Sequence, residues 1–210
     1  DPVAPTGPTT VASSLSLRAS DTTPTTSQRV ALSGVLSIAG RSETGQKVSV
    51  FLRPAGTSTW SLGGTVTVGS TGAWSWSRTF TRTTTVQVRY FGSASLDAKP
   101  ATSSTLTVRP SVAVSARTTT VGGTGDTTFR LGSTVRVPVA TVAAPTGAKA
   151  SLQRKSGTSW VTIASKALSG GKATFQWKPS KRATYTLRVV VSGSSTVATG
   201  YSRLLGLSVS

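Results

Sequence analysis

The sequence predicts an all-β chain of two sandwich domains in tandem. Three observations predict it: short apolar/polar alternations punctuated by turn residues, an internal repeat of about 100 residues, and a composition led by Thr, Ser, Val and Gly. β-Branched side chains suit a pleated surface, whereas Ser, Thr and Gly weaken helix interiors, so the composition favours strands joined by tight turns. The 210 residues leave room for two domains of about 100, each able to bury roughly 60–70% of its unfolded surface.

Taken in order, residues 1–12 (DPVAPTGPTTVA) carry Pro2, Pro5 and Pro8 and read as an extended tether. Asp1 is expected to be a mature terminus, with any targeting segment removed upstream. In residues 13–109, alternation predicts strands at 14–19, 29–37, 47–53, 65–68, 73–80, 85–91 and 103–109, and seven short antiparallel strands suffice for a small sandwich. Residues 110–210 repeat the plan at 112–116, 133–139, 148–154, 160–165, 172–178, 184–191 and 204–209. The boundary falls at Arg109-Pro110, where proline interrupts ladder pairing. An odd strand number places a sandwich's termini at opposite ends, so the two domains are expected to lie end to end.

Three matched stretches carry the repeat: VSVFLRPAGTSTW (48–60) with ASLQRKSGTSW (150–160), GAWSW (72–76) with KATFQW (172–177), and TTVQVRYFG (84–92) with ATYTLRVVVSG (183–193). Val48, Val50 and Leu52 share one strand face, as Ala150 and Leu152 do, and the following Gly-Thr-Ser forms a turn before Trp60 or Trp160. Val86, Val88 and Tyr90 form a second inward set, as do Tyr185, Leu187 and Val189, with Arg89 and Arg188 at outward positions. Trp60, Trp74, Trp76, Trp160 and Trp177 are expected mainly as core anchors, the other reading being an exposed stacking platform.

These features resemble the bacterial immunoglobulin-like domains that occur in tandem in secreted and cell-wall proteins. The resemblance rests on the valine-rich strand through Gly34-Val35, the VxVxLR or AxLxR strand, the G-T-S-(T)-W turn, the G-x-W-x-W or A-x-F-x-W strand, and T-Y-T-L-R at 184–188. It spans most of residues 13–210, and the second domain departs from it in a longer segment, TTTVGGTGDTT (118–128). It implies an extracellular spacer, an adhesive module or an appendage beside a catalytic domain, in a secreted or surface-exposed bacterial protein.

Chemistry is tightly bounded. The chain has no Cys, Met or His, which excludes disulfides, thiolate or imidazole metal sites and histidine acid/base catalysis. Absence of Cys is compatible with either redox compartment. Paired-carboxylate hydrolysis has little to draw on, because the five acids are Asp1, Asp21, Glu43, Asp97 and Asp126, spread across both halves. Asp126 stands alone in GGTGDTT, too little for a Ca²⁺ cage, and GGTG (122–125) lacks the Gly-Lys-Ser/Thr of a phosphate loop. No cofactor, enzyme activity or membrane-spanning apolar run is expected. Against the five acids stand 23 Lys and Arg, a net charge of +18, and this balance attracts anionic cell-wall polymers, nucleic acid or other polyanions. The candidate ligand residues are Lys178, Lys181 and Arg182 in KPSKR, with Lys172, Lys155 and Arg154; the alternative is that such residues protect strand edges from aggregation. A further expectation is self-association or a neighbouring module end to end, including a fibre in which the 1–12 tail adds to a neighbour's sheet edge.

Overall fold

The computed structural model describes residues 10–119 and 127–210. Most of the tether with Asp1, and the segment 120–126 with GGTG and Asp126, lie outside the described residues. Among the described residues the chain is all-β, with antiparallel sheets and a single 3-10 turn at Ala94–Leu96 in place of any α-helix. It divides into two compact units, one running to Pro24 and resuming over Gln28–Arg109, the other made of Thr25–Ser27 and Pro110–Ser210.

In the first unit the strands are β1 (Ser13–Leu15), β2 (Arg18–Ala19), β3 (Arg29–Ile38), β4 (Lys47–Pro54), β5 (Ser61–Thr67), β6 (Ala73–Thr79), β7 (Thr84–Tyr90), β8 (Ala101–Thr102) and β9 (Leu106–Val108). One sheet is built on β3, with β1, β2 and β6 against it; the other runs β5-β4-β7, with β8 and β9 both on β7. The predicted strand 14–19 is broken at Ser16, whose hydroxyl accepts the Val35 N–H at 2.9 Å. Val11 pairs with Ala98, and its N–H donates to the Asp97 carbonyl at 2.7 Å, so the end of the predicted tether adheres to its own unit.

Period-two alternation places Val30, Leu32, Leu36 and Ile38 inward from one sheet and Val48, Val50, Leu52, Val86, Val88 and Tyr90 from the other, and all ten are buried in one core. Burying a side chain of this size stabilises by about 1.5–3 kcal/mol relative to leaving it in water. Trp74 fills the space opposite Gly34, where a Cβ would stand 2.8 Å from its Cζ2 and 2.0 Å from the Ser16 carbonyl oxygen.

In the second unit the strands are β10 (Ala113–Ala116), β11 (Thr128–Phe129), β12 (Val135–Val142), β13 (Lys149–Ser156), β14 (Ser159–Ala167), β15 (Lys172–Trp177), β16 (Ala183–Val191), β17 (Gly200–Tyr201) and β18 (Leu205–Val209). One sheet is β10-β12-β15 and the other β11-β18-β16-β13-β14, with β17 also on β16; among the strand pairs of the described residues, β11 against β18 alone is parallel. Phe129, Val135, Val137, Phe175, Leu152, Leu187, Val189 and Leu207 are among its buried core residues.

Register shows how the two units correspond. Val50 pairs with Val88 and Leu152 with Val189, and each pair adjoins a bulge in the next strand, at Gly63 and Ile163. The Val88 N–H donates to Ser103 Oγ at 3.0 Å, and the Val189 N–H to Ser202 Oγ at 2.9 Å. Val86, Val88 and Tyr90 therefore answer to Leu187, Val189 and Val191, two residues along from the correspondence expected above. The same register sets Leu52 against Arg154. In the first unit a Cβ on Gly63 would meet Leu52 Cδ1 at 2.8 Å. In the second, Ile163 packs against the core and Arg154 takes the rim. The apolar volume has moved from one strand to its neighbour.

Candidate functional site

Lys178, Lys181 and Arg182 lie in the loop between β15 and β16 and are exposed, while Pro179 within it is buried. The loop is pinned from below: Tyr185, at the start of β16, donates its hydroxyl to the Lys181 carbonyl at 2.8 Å and packs edge-on against Trp177 at 5.0 Å. This is the tyrosine-corner arrangement of sandwich domains. Arg154 holds its guanidinium 5.9 Å from the Tyr185 ring, and exposed Lys155 follows it on β13. Antiparallel pairing of Arg154 with Leu187 brings both to the end of the sheet that carries the loop. Lys172 is not part of this group. It begins β15, and the strand rise puts it roughly 17 Å from Trp177, toward the opposite end.

The five Trp residues divide between the core and a second surface. Trp74 is buried, and Trp76 and Trp177 pack against the cores, but Trp60 and Trp160 stand outside both. In the first unit the Arg89 guanidinium lies 4.5 Å from the centroid of Phe51 and 6.0 Å from that of Trp60, with Arg53 4.9 Å from Trp60. Exposed Phe91 extends the row, edge-on to Phe51 at 6.3 Å. In the second unit Arg188 lies 4.1 Å from Trp160 and 5.1 Å from exposed Tyr201. Both arginines are anchored through Nε to a glutamine: Arg89 to Gln87 Oε1 at 2.9 Å, and Arg188 to Gln153 Oε1 at 2.8 Å. They occupy the outward series of β7 and β16, whose alternate residues fill the cores. The outward placement of both was legible in the alternation, whereas their ring partners depend on cross-strand register.

The described acids have local partners. Asp21 Oδ1 accepts the Thr23 N–H at 2.7 Å and caps a turn. Glu43 Oε1 accepts the Ile38 N–H at 3.0 Å, and Asp97, at φ 48°, lies 3.9 Å from Arg41. Among the described residues no three His, Cys, Asp or Glu side chains gather as a metal site. No helix among them is long and apolar enough to cross a membrane.

No family model matches the chain, and no curated protein matches it. Among solved structures it is similar to the D0-D1 domain of intimin, at 8% identity and a TM-score of 0.33 over 92% of this chain and 96% of that one. It is also similar to the Yersinia pseudotuberculosis adhesin InvE, at 13% identity and a TM-score of 0.32, over 94% of this chain and 58% of that one. The BSP domain of a biofilm-associated protein is a third, at 14% identity and a TM-score of 0.29, over 93% of this chain and 30% of that one. The chain thus spans less than two thirds of the latter two.

Proposed function

We propose that the chain is a non-catalytic adhesion segment of an exported bacterial surface protein, made of sandwich domains that hold ligand-binding faces in place. The observation that supports this most is the employment of the described acids: Asp21, Glu43 and Asp97 serve a turn, a strand end and an ion pair. The chain has no histidine or cysteine, and in these roles the partners of the acids are backbone N–H groups and an arginine rather than a nucleophile or a second carboxylate. The test is a flow assay. Beads bearing the chain are expected to be retained on immobilised bacterial envelope polymers while the polymer's length, followed by size-exclusion chromatography, stays constant. Shortening of the polymer would overturn the non-catalytic reading, and passage as free as that of bare beads would overturn adhesion.

A second reading is favoured by the exposed cluster Lys178, Lys181, Arg182 and Lys155 at one end of the second unit. Such a cluster takes polyanions through charge and counterion release, without reading their structure. Retention on heparin is then expected to fall with salt and to fall further in the Lys178→Ser/Lys181→Ser/Arg182→Ser variant. Unchanged retention in that variant would remove the loop from the account.

A further inference from the structure

We infer that the outer faces of the β5-β4-β7 and β14-β13-β16 sheets are binding sites for carboxylated polysaccharide, with Arg89 and Arg188 each presenting a guanidinium edge to a uronate carboxylate. The inference rests on the adhesion reading and names its ligand and its residues.

The first support is preorganisation. A guanidinium whose Cζ lies 4.1–6.0 Å from ring centroids is held against aromatic carbon and can keep its hydrogen-bonding edge open. Nε is committed to Gln87 or Gln153, which fixes the plane. Among the described residues, the Nη donors of Arg89 and Arg188 have no protein acceptor within hydrogen-bonding reach. What remains is a rigid pair of parallel donors, the geometry that matches the two oxygens of a carboxylate.

The second support is that the arrangement is built twice from different positions. The bulges and the Ser103 and Ser202 bonds set Phe51 against Gln153, and Gln87 against Arg188. In the first unit, glutamine and arginine both come from β7 and the ring from β4. In the second, arginine comes from β16 and glutamine from across the ladder on β13, facing it in register. A face kept only for strand pairing has no reason to restore arginine, anchoring glutamine and flanking rings after exchanging their positions.

Charge and shape select the ligand. The net charge is +18, and the side chains of the described acids Asp21, Glu43 and Asp97 are partnered by Thr23, Gln28, Ile38 and Arg41, none of them a residue of these sheets. Among the described residues no acid is bonded to either arginine. Each face offers one anchored fork beside an exposed ring, Phe91 at 64% or Tyr201 at 57% exposure. That suits one sugar at a time, its carboxylate on the fork and its C–H face on the ring. A single-stranded nucleic acid calls for stacking rings together with a groove of cations tracking successive phosphates, whereas each face anchors one arginine through its Nε.

The test measures binding of the full chain to alginate oligosaccharides by calorimetry, with neutral dextran oligosaccharides and oligo-dT as comparisons. The Arg89→Lys/Arg188→Lys variant keeps the net charge and removes the fork, and loss of a charge-assisted bidentate pair is expected to weaken alginate binding about tenfold. Phe91→Ser and Tyr201→Ser, at exposed ring positions outside the cores, report on the same faces if the arginine variant folds poorly; both are expected to weaken alginate binding. Retained alginate affinity in a folded arginine variant, or in both ring variants, would overturn the inference and leave adhesion standing. Tighter binding to oligo-dT than to alginate, lost in the same variants, would reassign the faces to single-stranded nucleic acid and overturn the carbohydrate assignment. Loss of bead retention on every envelope polymer would sink the adhesion reading itself.

Discussion

Replacing Tyr185 with Phe removes one oxygen and leaves the ring that packs edge-on against Trp177. The lost bond is the 2.8 Å donation to the Lys181 carbonyl, and the tyrosine side is 8% exposed. A hydrogen bond of this kind contributes about 1 kcal/mol net. For a domain of about 100 residues that corresponds to a fall in melting temperature of roughly 4–8 °C. The basic loop should also loosen, because Lys181 is held to the sheet through this carbonyl. Differential scanning calorimetry of the full chain measures the first effect, and hydrogen exchange across residues 178–182 the second. An unchanged second-unit transition together with unchanged exchange would refute the claim that Tyr185 anchors the loop.

Other outcomes follow from the same geometry. Gly34→Ala places a Cβ 2.0 Å from the Ser16 carbonyl oxygen, so backbone must move, and the first unit should lose about 1–3 kcal/mol in chemical denaturation. Ser103→Ala and Ser202→Ala each leave a buried backbone N–H, at Val88 and Val189, without its hydroxyl acceptor, and should cost about 1–3 kcal/mol in the unit that carries the change. Burial raises the Tyr90 pKa above its ordinary value of 10.0, with the Ser93 hydroxyl opposing in part. The folded state therefore keeps the phenol proton at pH values where the unfolded chain has lost it. First-unit stability should be full below about pH 10 and decline as pH rises above it. In Tyr90→Phe, the part of that decline due to this group should vanish.

Long strands were legible because alternation over six to ten residues leaves one face to bury, as in β3, β4, β7, β13 and β16. The two-residue strands β2, β8, β11 and β17 are too short to show a period, and their pairing is set by what lies beside them. β5 begins at Ser61, four residues before its predicted start at Thr65: Gly63 and Gly64 interrupt the alternation, and Gly63 is the bulge that makes room for Leu52. The correspondence of the repeats slipped as well. Matching Arg89 with Arg188 by residue type shifts β16 by two residues, because register sets Arg188 against Gln87. The basic loop was visible as a run of charge in one segment. The arginine forks were not, since each assembles side chains from two or three strands whose proximity exists only once register is fixed.

The most direct test of the account observes the guanidinium groups themselves. In nitrogen-resolved NMR of the full chain titrated with alginate oligosaccharides, the side-chain Nε–H signals of Arg89 and Arg188 are predicted to shift and saturate together with the neighbouring Phe91 and Tyr201 rings. Shifts confined to residues 178–182, with both arginine signals unmoved, would contradict it.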